Sequence, residues 1–205
     1  MRLTKEQASQ NRRRIVEAAS RLFRERGFDG VGVADIMGAA GFTHGGFYNH
    51  FASKEALAAE VCSTSFGNAC ETLATALRSG KSKALERYVD EYLSARHRDE
   101  PEGGCALAAL ATDAARQGVD VQSSFAGGLA ETLALVTEWL RTAGPSSCRG
   151  NERASRARAI RLWSELVGAL TLSRSMHAAD PALADEILAT NRKAIVASLR
   201  DGDAR

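Results

Sequence analysis

No stretch of the 205 residues approaches the roughly 18 consecutive apolar residues a membrane-spanning helix needs. The polar opening Met1-Arg2-Leu3-Thr4-Lys5-Glu6 also lacks the apolar core of a secretory signal, so the expected location is the cytoplasm, with no membrane partner. Prolines number three, and nowhere do polar and apolar residues alternate over a strand's length; an all-α fold is what remains. The four cysteines, Cys62, Cys70, Cys105 and Cys148, form no Cys-x-x-Cys pair. The four histidines, His44, His50, His97 and His177, show no paired metal spacing with a carboxylate on the same face. A zinc knuckle, a disulfide scaffold and a bound metal are thereby set aside, and no cofactor is expected. No Ser/His/Asp arrangement, paired inward carboxylates or phosphate loop occurs, so catalysis is not expected either.

Charge, by contrast, is unevenly placed. The net charge is only +2, yet residues 1–54 hold nine Lys/Arg against five Asp/Glu, while residues 55–205 hold eighteen against twenty. A positive field at one end of a nearly neutral chain is the footprint of a nucleic-acid contact. The 44% hydrophobic content suffices for a real core.

Helical punctuation divides the chain into about nine segments. Thr4-Lys-Glu-Gln7 is a capping-box pattern, Ile15, Ala18, Ala19, Leu22 and Phe23 form an apolar stripe, and Gly27 suits a stop. Further helices are expected at about 33–40, 44–50, 53 to Ser79-Gly80, 84–98, 106–117, 120–143, 151–178 and 181–200. Ser53, Asp120 and Asn151 are the expected caps, and Asp180-Pro181 opens the last helix.

Two short helices joined by a tight turn at Gly41 make the stretch from Val33 to Leu57 a helix-turn-helix, a motif that places side chains in the DNA major groove. Phe47 and Phe51, four apart, should face inward and leave Gly45, Gly46, Tyr48, Asn49 and His50 around the open side. Thr43 stands at the N-cap, where backbone amides can hold a phosphate oxygen.

Residues 12–57 closely resemble the N-terminal DNA-binding domain of the TetR/AcrR family of bacterial transcriptional regulators, most specifically in Gly41-Phe-Thr43, Phe47-Tyr48, His50-Phe51 and Ser53-Lys54-Glu55-Ala-Leu57. The resemblance implies an all-helical homodimer that binds a palindromic double-stranded DNA operator through this head. It further implies a small-molecule effector, bound in a variable C-terminal domain, that switches DNA affinity. Carried over by position, it makes Thr43, Tyr48, His50 and Lys54 phosphate contacts and puts His44, Gly45 and Asn49 nearest the base edges. Arg12 and Arg14, in the run Arg12-Arg13-Arg14, are expected to add contacts. Two departures stand out: Val31-Gly32 where the family has a hydroxyl residue before the second helix, and Met37-Gly38 where it has an alanine. The second helix is expected to be less firmly capped.

The expected domains are a DNA-binding head over 1–52 and an effector-binding and dimerisation domain over 53–205. Tyr88, Tyr92, Leu107, Leu110, Phe125, Leu129, Leu133, Trp139, Trp163, Met176 and His177 are candidates to line an effector pocket. The helix carrying Leu162, Leu166 and Leu170 is apolar on more than one face. With Ile187, Leu188, Ile195 and Leu199 of the last helix it is expected to form the dimer seam. Cys105, after Gly103-Gly104 and before an apolar helix, is a candidate redox or electrophile sensor, although a buried inert thiol is the preferred expectation. The leading functional expectation is a repressor released from its operator by an apolar effector; a constitutive architectural DNA-binding protein and a thiol-based sensor are the alternatives.

Overall fold

The computed structural model describes residues 4–78 and 83–200. Among the described residues there are nine α-helices and two short 3-10 helices, with no strand. They run α1 Lys5–Arg26, α2 Val33–Ala39, a 3-10 recognition turn His44–Asn49, α3 Lys54–Arg78, α4 Ala84–Tyr92 and α5 Ala95–Asp99. A 3-10 turn Pro101–Gly103, α6 Ala106–Ala114, α7 Val119–Ala143, α8 Glu152–Met176 and α9 Pro181–Arg200 complete the order. The expected stop at Ser79-Gly80 lies outside the described residues.

Local chemistry sets most of these ends. The Thr4 hydroxyl accepts from the Gln7 amide at 3.2 Å while Gln7 Oε1 accepts from the Thr4 amide at 2.9 Å, closing the capping box. Ser53 Oγ accepts from the Ala56 amide and Asn151 Oδ1 from the Ala154 amide, both at 3.0 Å, and Asp180 caps α9 through the Leu183 amide. Such caps are each worth about 1 kcal/mol. Asp120 sits inside the first turn of α7 instead of capping it, because the helix already starts at Val119 with the Gly118 carbonyl accepting from the Gln122 amide. The run expected as one helix over 84–98 is broken at Leu93: Ser94 Oγ accepts from the His97 amide at 3.2 Å and starts α5 afresh.

The chain divides into two compact units, Met1–Gly67 with Pro101–Gly128, and Asn68–Glu100 with Leu129–Arg205. In the first unit the buried stripe Ile15, Ala18, Ala19, Leu22 and Phe23 of α1 packs on α2 and α6. Phe23 meets Phe28 at 5.1 Å, and Phe66 of α3 meets Phe125 of α7 edge-on, also at 5.1 Å. Gly128 makes that second contact possible, since a Cβ there would fall 2.1 Å from the Phe66 ring.

In the second unit α8 and α9 pack antiparallel. Ser173 Oγ donates to the Ala184 carbonyl at 2.8 Å at one end, and the Arg158 guanidinium to the Ser198 carbonyl at the other. Leu162, Leu166, Leu170, Leu188, Ile195 and Leu199 are buried, each burial contributing about 1.5–3 kcal/mol. The buried Arg98 guanidinium, 5% exposed, holds Asp99 at 2.7 Å and Asp185 of α9 at 2.5 Å. Arg200 pairs with Glu86 at 2.6 Å. These hydrogen bonds raise the Arg98 and Arg200 guanidinium pKa values further above their ordinary value.

Candidate nucleic-acid interface

The turn between α2 and the recognition segment is built on Gly41, whose φ of +79° lies in the left-handed region that favours glycine. Around it the Gly41 amide donates to the Gly38 carbonyl at 3.0 Å and the Phe42 amide to the Met37 carbonyl at 2.8 Å, closing a helix end. At the other end of α2, Gly32 offers no side-chain cap, as expected; Asp35 Oδ2 supplies the reciprocal half by accepting from the Gly32 amide at 2.9 Å.

The recognition segment is a 3-10 turn of six residues instead of the α-helix expected. Its amides reach back three residues, Gly46 to the Thr43 carbonyl at 3.0 Å and His50 to the Phe47 carbonyl at 2.9 Å. The adjacent pair Gly45-Gly46 explains the tighter form, because two glycines in sequence weaken an α-helix by about 1 kcal/mol each. Phe47 is fully buried and Phe51 nearly so, with ring centroids 5.5 Å apart, as their spacing predicts. Tyr48 stands edge-on to Phe47 at 5.2 Å and is 66% exposed. Thr43, His44, Gly45 and Asn49 are exposed too, and His50 and Lys54 half-buried. Thr43 occupies the cap position, but its side chain makes no cap bond.

Arg12 and Arg14 are engaged within the head. Arg12 Nε donates to Glu60 Oε1 at 3.0 Å, and its terminal nitrogens donate to Glu60 Oε2 and the His50 carbonyl. Arg14 Nη2 donates to the Ala40 carbonyl at 3.0 Å. Sequence spacing gave no sign of this, because the acceptors are a backbone carbonyl 26 residues on and a glutamate 48 residues on.

Residues 15–61 match the family described as "Bacterial regulatory proteins, tetR family". Over this head the chain is similar to the TetR family. It is a DNA-binding transcriptional regulator. The transcriptional repressor DhaR of Mycobacterium sp. strain GP1 is 27% identical over 144 residues, which cover 70% of this regulator and 69% of that protein. The repressor NemR of Escherichia coli K12 is 24% identical over 140 residues, covering 67% and 70%. A crystal structure of E. coli NemR in its reduced form superposes with a TM-score of 0.74 over 91% of this chain and 95% of that one, at 20% identity, so the fold is shared.

The residues expected to line an effector pocket fall into two groups. Leu107, Leu110 and Phe125 belong to the first unit, where they are buried; Tyr88, Tyr92, Leu129, Leu133, Trp139, Trp163, Met176 and His177 belong to the second. Within the second unit Trp163 stacks on Tyr88 at 5.8 Å and leans on Tyr92 at 6.2 Å. His97, not foreseen from sequence, lies edge-on to Tyr92 at 4.7 Å. Burial pushes the His97 imidazole below its ordinary value, against the hydrogen bond it donates to the Tyr92 carbonyl at 2.8 Å.

The residues expected at the dimer seam pack within their own chain. Leu162, Leu166, Leu170, Leu188, Ile195 and Leu199 are buried by their own chain, and Ile187 is half-buried. A side chain already out of water has no apolar area left to give a partner. The large apolar residues that α8 and α9 expose are Ile160, Leu172 and Leu183, at 45%, 54% and 42%.

Cys105 occupies the cap position of α6 and is half-exposed, which corrects the expectation of a buried thiol. Among the described residues no cluster of His, Cys, Asp or Glu could hold a metal ion, and no helix is long and apolar enough to cross a membrane.

Proposed function

We propose that this regulator is a repressor that occupies a palindromic operator as a homodimer and leaves it when a small apolar molecule binds. The observation that carries the reading is the recognition turn. Its inner face is locked by Phe47 and Phe51, while Tyr48, Asn49, His44 and Thr43 stand exposed together on a positively charged end of the chain. An exposed tyrosine on a polar surface is suited to a phosphate, and Asn49 to an adenine edge. Thr43, Tyr48, His50 and Lys54 hold phosphates, and His44, Gly45 and Asn49 lie against the bases. The repressor sign follows the relatives DhaR and NemR, both transcriptional repressors. In this reading residues 1–52 form the reading head and residues 53–205 bind effector and partner, in a protein that works in the cytoplasm.

Dimerisation uses the outward side of α8 and α9, where Ile160, Leu172 and Leu183 are exposed. The effector sits among the aromatic rings of the second unit. Trp163 supports this: it is buried, and its indole N–H meets no acceptor among the described residues. An effector carrying an acceptor atom would satisfy that N–H.

The test is selection of bound DNA from random duplexes at two salt concentrations, with Tyr48→Ala beside the wild type. The wild type is expected to return a palindromic consensus that Tyr48→Ala loses. Salt-sensitive binding without a consensus would refute sequence-specific repression.

A further inference from the structure

Two arginines, two residues apart on α1, each end on one flank of the recognition turn. Arg14 grips the entrance: Nη2 donates to the Ala40 carbonyl at 3.0 Å where α2 ends, and the guanidinium carbon lies 5.0 Å from the Phe42 ring centroid. Arg12 grips the exit. Nη1 donates to the His50 carbonyl, directly after the recognition turn, while Nε and Nη2 fork onto the two carboxylate oxygens of Glu60 on α3. The guanidinium carbon lies 4.1 Å from the centroid of the Phe51 ring, whose neighbour in the core is Phe47. One side chain thus binds α1, the exit of the recognition turn and the first turns of α3 together.

A forked pair of charge-assisted bonds fixes the guanidinium plane as well as its distance, and a ring beneath that plane removes its remaining rotation. The charge is also matched locally by Glu60, so Arg12 adds little field at a DNA backbone. We propose that Arg12 is a positioning residue for DNA recognition, clamped by Glu60 and seated on Phe51, which fixes the angle at which Tyr48 and Asn49 meet the groove and makes no phosphate contact of its own. The proposal rests on the reading of this head as the DNA-binding element. Base-edge hydrogen bonds tolerate only a few tenths of an ångström, whereas flexible side chains follow a phosphate wherever the turn drifts. Loss of the clamp therefore falls on operator recognition and spares binding to random DNA.

The experiment measures affinity for a selected operator and for a random duplex over a range of salt, using the full-length wild type, Arg12→Lys, Arg12→Ala and Glu60→Gln. Lysine is the informative replacement, because a point charge restores a phosphate contact but cannot restore a fork. Arg12→Lys and Arg12→Ala are both expected to lower the operator-to-random ratio by about tenfold, with the salt slope on random DNA unchanged. Glu60→Gln, which keeps the Arg12 charge and the shape of its partner, is expected to lower the ratio as well, and it carries the test should Arg12→Ala fail to give a wild-type helical spectrum. The clamp is overturned if Arg12→Lys behaves as wild type while Arg12→Ala flattens the slope by about one on both DNAs, the mark of a lost phosphate contact. It is equally overturned if Glu60→Gln leaves the ratio unchanged. A wild type without sequence preference overturns the DNA-recognition reading itself, and the clamp with it; a preference shared undiminished by all the variants overturns the clamp alone.

Discussion

Cys62 is fully buried, and burial pushes its thiol up to about 12, far from a reactive thiolate at neutral pH. Burial raises Cys70 as well, against the hydrogen bond it shares with Thr132 at 3.4 Å, and Cys148 is 3% exposed. Cys105 alone of the four is half-exposed, at the head of the nine-residue helix α6. A maleimide in slight excess is therefore expected to label Cys105 in the native protein and the other three only after denaturation, read by peptide mass spectrometry. Equal labelling of Cys148 would contradict the packing described. Cys105→Ser should remove the fast label and leave the fold unchanged. Sequence placed this cysteine correctly at a helix start, since Gly103-Gly104 precedes it, but its exposure depends on what packs against it, which spacing does not encode. Arg12 shows the same limit: its composition suits phosphate, and only the approach of Glu60 directs it inward.

Arg98 stands where α5, α8 and α9 join. It is buried, its guanidinium holds Asp99 and Asp185, and its carbonyl accepts from Arg174 Nε at 3.1 Å. Arg98→Ala takes their shared cation from two partly exposed aspartates and opens a gap in the packing, so it is expected to cost about 2–4 kcal/mol, measured by urea denaturation. Asp185→Asn should cost less than half of that, because Asp185 is two-thirds exposed and water takes over. Helix ends were the most legible feature, since Thr4, Ser53, Asn151, Asp180, Gly27 and Gly41 act through bonds or dihedrals within a few residues. The break at Leu93 was hidden because Ser94 caps from inside an amphipathic run. The apolar width of α8 was also legible, but its second face is filled by α9 of the same chain, and nothing in Leu166 or Leu170 distinguishes an internal neighbour from a partner subunit.

For the proposed dimer the decisive residues are those left exposed. Leu172→Glu places a charge on the outward side of α8, and sedimentation should show a shift from twice 21.9 kDa toward 21.9 kDa with little change in melting temperature. Leu166→Ala, fully buried, should instead lower stability by about 3 kcal/mol. A Leu172→Glu protein that stays fully dimeric would remove this face from the interface. The six-residue recognition turn sets a further bound. At about 2 Å of rise per residue it spans about 12 Å, the length of roughly three to four base pairs. A word of about four letters recurs by chance about once in 256 positions, against the ∼10⁶ or more competing sites of a genome. In the proposed homodimer two such words at fixed spacing recur about once in 65,000, so most of the address would be written jointly by two copies, and a single copy would be close to illiterate.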